Sequence, residues 1–226
     1  MKNDKLEIAC FNLESAIIAQ TNGADRVELC ASMKEGGTTP DFRITEQARK
    51  ELSVDLNVMI RPRGGDFVYT NAEFEQMKEE IIAFKRLNID GFVFGILDKE
   101  GNINIEQNSE LVALASPTPC TFHRAFDVVN NVYQSLETVI DCGFKTILTS
   151  GQEQNVVEGI VVLAELVVKA NGRITIMPGG GLRSTNVGLL QEKTKAVFYH
   201  SSAVTDSGET ANGDEVKALK RKLECI

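Results

Sequence analysis

No stretch of this 226-residue sequence approaches the roughly 20 consecutive apolar residues that a membrane span requires, so a membrane partner is not expected. The opening M-K-N-D-K-L-E-I-A-C-F lacks an apolar core of the signal-peptide kind, which predicts a cytoplasmic protein. A basic excess is missing too. Net charge is -8 and pI near 5.0, which argues against sequence-independent binding of nucleic acid, because that needs a cationic face. The expected partner is therefore small. Cys10, Cys30, Cys120, Cys142 and Cys225 form no C-x-x-C pair and are odd in number, so they read as free thiols of a reducing compartment. No linker, low-complexity tract or charge block divides the chain, and residues 1–226 read as one domain.

What the sequence does contain is alternation. Short β-rich runs begin at Leu6, Arg26, Leu56, Gly91, Cys120, Lys145, Ile174 and Ala196, and each is followed by a helical pattern. Phe74, Met77, Ile81 and Phe84 make one apolar stripe behind a Thr70-x-x-Glu73 capping box. Val132, Leu136, Val139 and Ile140 make another; Val156, Ile160, Leu163 and Val167 a third; Val216, Leu219 and Leu223 a last. Asn22-Gly23, Asn88, Cys142-Gly143 and Asn171-Gly172 supply helix stops just before the next strand. Eight such units in this length predict a single (β/α)8 TIM barrel of the α/β class. An open doubly wound sheet would use fewer strands and carry a G-x-G-x-x-G turn, which is absent.

In that fold the strand C-termini and the loops after them build the site. Sorting polar residues by end places there Arg61 and Arg63 after strand three, His123, Arg124 and Asp127 after strand five, and Ser150 after strand six. Gly179-Gly180-Gly181 follow strand seven, and His200 and Ser201 fall at strand eight; only two histidines exist, and both are at this end. In V-M-I-R-P-R-G-G-D-F-V-Y, Arg61 and Arg63 are two residues apart and on an extended backbone point the same way, as one wall of an anion site. The glycine run and the H-S-S-A turn occupy the usual place of a barrel phosphate site, where backbone N–H groups reach an anion unhindered. Glu7 and Glu28 stand inside apolar strands, with Arg61 as the expected counter-ion, and read equally as a buried ion network or as proton-transfer groups. Cys10 and Cys30 end neighbouring strands, where two thiols would suit a soft ion such as Cu(I); by spacing alone they read as core thiols. With no lysine at a strand C-terminus and no G-x-S-x-G turn, Schiff-base and serine-hydrolase chemistry are disfavoured.

Seven segments, in order, resemble the CutC family, named for copper homeostasis. They are L-E-I-A-C at Leu6, G-A-D-R-V-E-L-C at Gly23, E-G-G-T-T-P at Glu35, V-M-I-R-P-R-G-G-D-F-V-Y at Val58, F-H-R-A-F-D at Phe122, I-L-T-S-G at Ile147 and M-P-G-G-G-L at Met177. The resemblance implies a single (β/α)8 barrel, a cytoplasmic homo-oligomer, and a role in binding and trafficking Cu(I), with Cys10 and Cys30 as the metal ligands. The alternative expectation is an enzyme acting on a small anionic or phosphorylated metabolite. In it Arg61, Arg63, Arg124, Ser150, Gly179, Gly180, His200 and Ser201 bind the ligand, and Glu7, Glu28, His123 and Asp127 carry the chemistry. The Glu35–Pro40 loop is expected to act as a lid or a subunit contact.

Overall fold

The structure, a computed structural model, describes residues 4–224, so Cys225 lies outside the described residues. Eight strands alternate with eight helices. They are β1 (Lys5–Cys10), β2 (Arg26–Leu29), β3 (Asp55–Met59), β4 (Gly91–Phe94), β5 (Cys120–Phe122), β6 (Thr146–Thr149), β7 (Thr175–Pro178) and β8 (Phe198–Ser201). The helices are α1 (Leu13–Thr21), α2 (Phe42–Glu51), α3 (Asn71–Lys85), α4 (Ile105–Ala115), α5 (Val132–Asp141), α6 (Ile160–Ala170), α7 (Val187–Thr194) and α8 (Gly213–Glu224). Every paired strand is parallel, in the order β7-β6-β5-β4-β3-β2-β1-β8, and a single parallel bridge between Gly179 and His200 joins the two ends. The expected (β/α)8 barrel is thus the observed fold. No helix among the described residues is long and apolar enough to cross a membrane.

Register assigns each side chain to a face. Glu7 pairs with Arg26 and with His200, Glu28 with Asn57, and Thr121 with Thr146, so these polar residues share the barrel interior. Leu6, Ile8, Val27, Leu29, Leu56, Phe92, Phe94, Phe122 and Tyr199 alternate with them and are fully buried between sheet and helices. The main apolar core therefore lies outside the barrel, where Phe94 and Phe122 pack on Phe144 at 5.1 and 5.2 Å. Burying one such ring contributes about 1.5–3 kcal/mol.

The first five helices begin where the sequence supplies side-chain caps. Thr70 and Glu73 form the full capping box of α3, and Asn12, Asp41, Asn104 and Asn131 cap α1, α2, α4 and α5 through side-chain oxygens. One boundary differs from the expected pattern: Val156 precedes α6 rather than belonging to it. Its N–H donates to the Gly180 carbonyl at 2.9 Å, so this apolar residue is drawn to the loop after β7 before the helix starts.

Candidate functional site

At the C-terminal ends of the strands the barrel opens into a cavity of about 410 Å³. Of the expected residues, Glu28, Cys30, Arg61, His123, Arg124, Asp127, Gly180, His200 and Ser201 line it; Glu7, Cys10, Arg63, Ser150 and Gly179 do not.

Glu7 lies below the cavity floor. Its Oε1 is 2.7 Å from His200 Nδ1, its Oε2 accepts from the Arg26 guanidinium, and Asn57 Nδ2 reaches the same oxygen at 3.5 Å. Burial alone would raise this carboxyl, but Arg26 and His200 outweigh it and hold it well below the usual range. Arg26, not Arg61, is therefore the counter-ion. Arg26 stands two residues before Glu28 on an alternating strand, which places both inside the barrel, and its guanidinium packs 4.0 Å over the Phe198 ring. That spacing was the available signal.

Glu28 is buried, and its Oε1 has no protein partner. Its Oε2 accepts from the Cys30 thiol at 3.5 Å and sits 3.8 Å from His200 Nε2. Burial and the nearby Glu7 charge push the Glu28 carboxyl up, against the pull of His200. For His200, burial acts to lower the pKa, but the two carboxylates prevail and raise it. Glu7 therefore stays ionised, and its charge favours the protonated forms of both His200 and Glu28.

Arg61 leaves β3 upward into the loops. Its Nη1 donates to the carbonyls of Glu35 at 2.7 Å and Gly37 at 2.9 Å, its Nη2 donates to Gly65 at 2.9 Å, and its plane lies 4.8 Å from the Phe67 ring. These bonds pin the loop over 33–38 against the loop after β3, so Glu35 and Gly36 form part of the cavity wall. Arg63 does not join it on one face. β3 ends at Met59, and with Pro62 between them the two arginines diverge. Arg63 turns outward to Glu73 at 2.6 Å and Asp66 at 3.0 Å.

His123 packs against Phe67 with ring centroids 4.9 Å apart. Its Nδ1 accepts from the Ala125 N–H at 3.3 Å, whereas its buried Nε2 has no protein partner. Burial and the Arg61 charge push its pKa down to about 3, so the ring is neutral at physiological pH. The two histidines of the mouth are thus shifted in opposite directions.

The anion side of the mouth is braced through Asp127. Its carboxylate accepts from Arg124 Nε at 2.7 Å, from the Ser150 N–H at 2.9 Å and from the Thr149 and Ser150 hydroxyls. Ser150 in turn accepts from Arg124 Nη2 at 2.9 Å, so Ser150 and Asp127 orient Arg124. A Cβ on Gly180, where φ is +109°, would sit 3.1 Å from the Arg124 guanidinium; only glycine lets this backbone lie there. Gly179 makes the closing bridge to His200 instead of facing the cavity. Arg183, which motif reading overlooked because it follows the glycines as an ordinary loop residue, lines the cavity and donates to Ser201 Oγ at 3.2 Å.

Two groupings bear on metals. Glu7, Glu28 and His200 offer ligand atoms within 4.8 Å of one another. Two carboxylates and an imidazole suit a hard or borderline divalent ion better than Cu(I), and two of the three are already committed to each other. The cysteines separate by strand face: Cys10 pairs in register with Leu29, outside the barrel, and its thiol donates to the Ile8 carbonyl at 3.4 Å, while Cys30 faces the cavity. Burial, reinforced by the Glu28 charge, pushes both thiols well up.

The chain matches the model of the CutC family over residues 4–205. It is 40% identical over 222 residues to the copper homeostasis protein cutC homolog of Homo sapiens, covering 97% of this chain and 81% of that protein. To a CutC family protein of Parabacteroides distasonis it is 46% identical over 199 residues, covering 88% and 82% respectively. A crystal structure described as a copper homeostasis protein CutC from Streptococcus agalactiae superposes with a TM-score of 0.85 at 33% identity, covering 89% of this chain and 100% of that one. The phosphoribosyl anthranilate isomerase of Thermotoga maritima shares the fold alone, with a TM-score of 0.69 at 15% identity over 99% of this chain and 100% of that one.

Proposed function

The chain belongs to the CutC family, and from that premise we propose that its barrel mouth is an enzyme site for a small anionic metabolite. The observation that carries this reading is one cavity, about 410 Å³, lined by Arg124 and by Glu28 with an unpartnered carboxylate oxygen. A cavity of that size suits a small metabolite, and Gly180-Gly181 bring backbone beside Arg124 without side chains in the way. Arg61 and Arg183 serve a different purpose here, because their Nη groups are spent on loop carbonyls. The test is a melting-temperature screen with phosphate, sulfate and short sugar phosphates. A bound anion at 100 times its Kd stabilises by about 2.7 kcal/mol, and Arg124→Ala is expected to abolish the shift. No shift with any anion overturns the reading.

Copper is the second reading, favoured by the relatives' names and by Cys30 standing on the cavity wall beside Met59, two sulfur residues suited to Cu(I) as cargo. Cys10, on the far side of its strand, does not complete that pair. Cys30→Ser is then expected to lower Cu(I) stoichiometry while Cys10→Ser leaves it unchanged; full copper binding by Cys30→Ser rejects the site. The cytoplasmic location and homo-oligomeric state belong to the same proposal, and cell fractionation and light scattering test them.

A further inference from the structure

We propose that the mouth catalyses proton abstraction beside a carbonyl group, on a short α-hydroxy carbonyl compound bearing an anionic group. In this scheme Glu28 is the base, and His123 is the donor to the carbonyl oxygen. This rests on the anion-site reading above and gives it a reaction class.

Three buried polar atoms on residues lining the cavity lack a protein partner, Glu28 Oε1, His123 Nε2 and Arg61 Nε, and the first two point to the ligand's shape. Leaving such an atom unpaired costs about 1–3 kcal/mol, which a ligand can recover by supplying the partner. The two atoms differ in kind. Glu28 Oε2 is occupied by the Cys30 thiol and faces His200, so Oε1 is the oxygen left to accept. His123 Nδ1 takes the Ala125 N–H, so the proton of the neutral ring sits on Nε2, which can only donate. Glu28 is on β2 and His123 follows β5, three strands round an eight-stranded barrel, so acceptor and donor stand on different walls of one mouth.

A carboxylate facing a neutral imidazole is a productive pairing for enolisation. A neutral N–H hydrogen bond to a carbonyl oxygen strengthens as that oxygen gains negative charge, without giving the proton away. Arg61 stands close enough to His123 to disfavour a second ring proton, which keeps it in that donor form. Arg61 thus acts through His123 and through the loop it pins, as a positioning residue. Arg124 and the Gly180 backbone hold the anionic end.

The electrons balance without a co-reactant. The C–H bond beside the carbonyl breaks, its proton goes to Glu28 Oε1, and its electron pair becomes a C=C bond. The carbonyl π pair moves onto the oxygen bonded by His123 Nε2–H. Glu28 then returns the proton to the adjoining carbon, and the hydroxyl proton passes to the former carbonyl oxygen. A single base yields a net change only if the carbon that lost its proton bears a hydroxyl, whose O–H pair becomes the new C=O bond as the old carbonyl carbon takes the proton, which is why the substrate class is α-hydroxy carbonyl.

The experiment incubates the protein in D₂O with dihydroxyacetone phosphate, ribose 5-phosphate and unphosphorylated dihydroxyacetone, following C–H signals by proton NMR. In parallel, melting is measured with 2-phosphoglycolate, whose carboxylate imitates the enediolate. A phosphorylated probe is expected to exchange at least 10³-fold faster than without protein. Glu28→Gln should lower that rate by 10²-fold or more and His123→Gln by a similar factor, while both keep a melting shift with inorganic phosphate, which engages only the anionic end and reports folding and anion binding. A melting shift with no exchange in the unaltered protein overturns the reaction class and leaves the anion site standing. Neither shift nor exchange overturns both, and exchange unaffected by Glu28→Gln overturns the assigned base.

Discussion

The barrel mouth has two walls, each holding one of the chain's two histidines, and the walls treat them oppositely. On the β8–β1–β2 side, His200 lies between two carboxylates and its pKa is raised although it is 8% exposed. On the β3–β5 side, His123 is 3% exposed, faces an arginine and an aromatic ring, and is pushed down to about 3. Burial acts in the same direction on both rings. The sign of the nearest charge decides which outcome prevails, so one cavity raises the pKa of one imidazole and lowers that of the other. A mouth divided in this way offers proton exchange on one wall and fixed polarisation on the other.

The comparison breaks most severely at Glu7. Replacing it with leucine leaves Arg26 and His200 without their shared acceptor in the barrel interior, and removing one partner of a buried ion pair costs about 3–5 kcal/mol. Urea unfolding at pH 7 measures this, and the His200 ring is expected to lose its raised pKa in an NMR titration. A cost below about 1 kcal/mol would show that the network does not hold the barrel together.

The opposite wall is broken through Arg61. Arg61→Met removes three bonds to loop carbonyls and should cost about 2–3 kcal/mol, with faster proteolysis between residues 31 and 38. In the same variant the His123 pKa is expected to rise but stay under its ordinary 6.5, since burial is the larger cause of its depression and Arg61 the second. A return to 6.5 would assign the whole effect to the arginine.

These two arginines also mark where sequence reading ended. Strand and helix alternation was legible because each strand carries a β-rich run and α1 to α5 begin at side-chain caps, and sorting by strand end placed nine expected residues on the cavity. The two sulfurs expected together are separated by strand alternation, Cys10 outside the barrel opposite Leu29 and Cys30 at the cavity. Arg61 and Arg63 were misjudged because the two-residue rule holds only while the backbone stays extended, and β3 stops before them. Arg26 was missed although it obeys that rule with Glu28, since a charged residue at a strand's start resembles a solvated end. Long-range partners such as Glu35 carbonyl for Arg61 carry no local signal at all.

The smallest effect sharpens the contrast most, because it appears as pH dependence. His123 binds its proton more weakly folded, at about 3, than unfolded, near 6.5, so the unfolded chain takes up protons first as pH falls between those values. Its neutral burial therefore favours folding above 6.5 and costs stability on the acid side, about 2 kcal/mol by pH 5. His200 has the reverse sign: its raised folded pKa adds stability below its unfolded pKa, and this is lost as pH rises through the folded value. His123→Phe should flatten the limb between pH 6.5 and 5 in urea midpoints and leave the alkaline limb intact, whereas His200→Gln should flatten the alkaline limb. Equal flattening of both limbs by either variant would mean that the two walls titrate as one site, and the division of the mouth would fail with it.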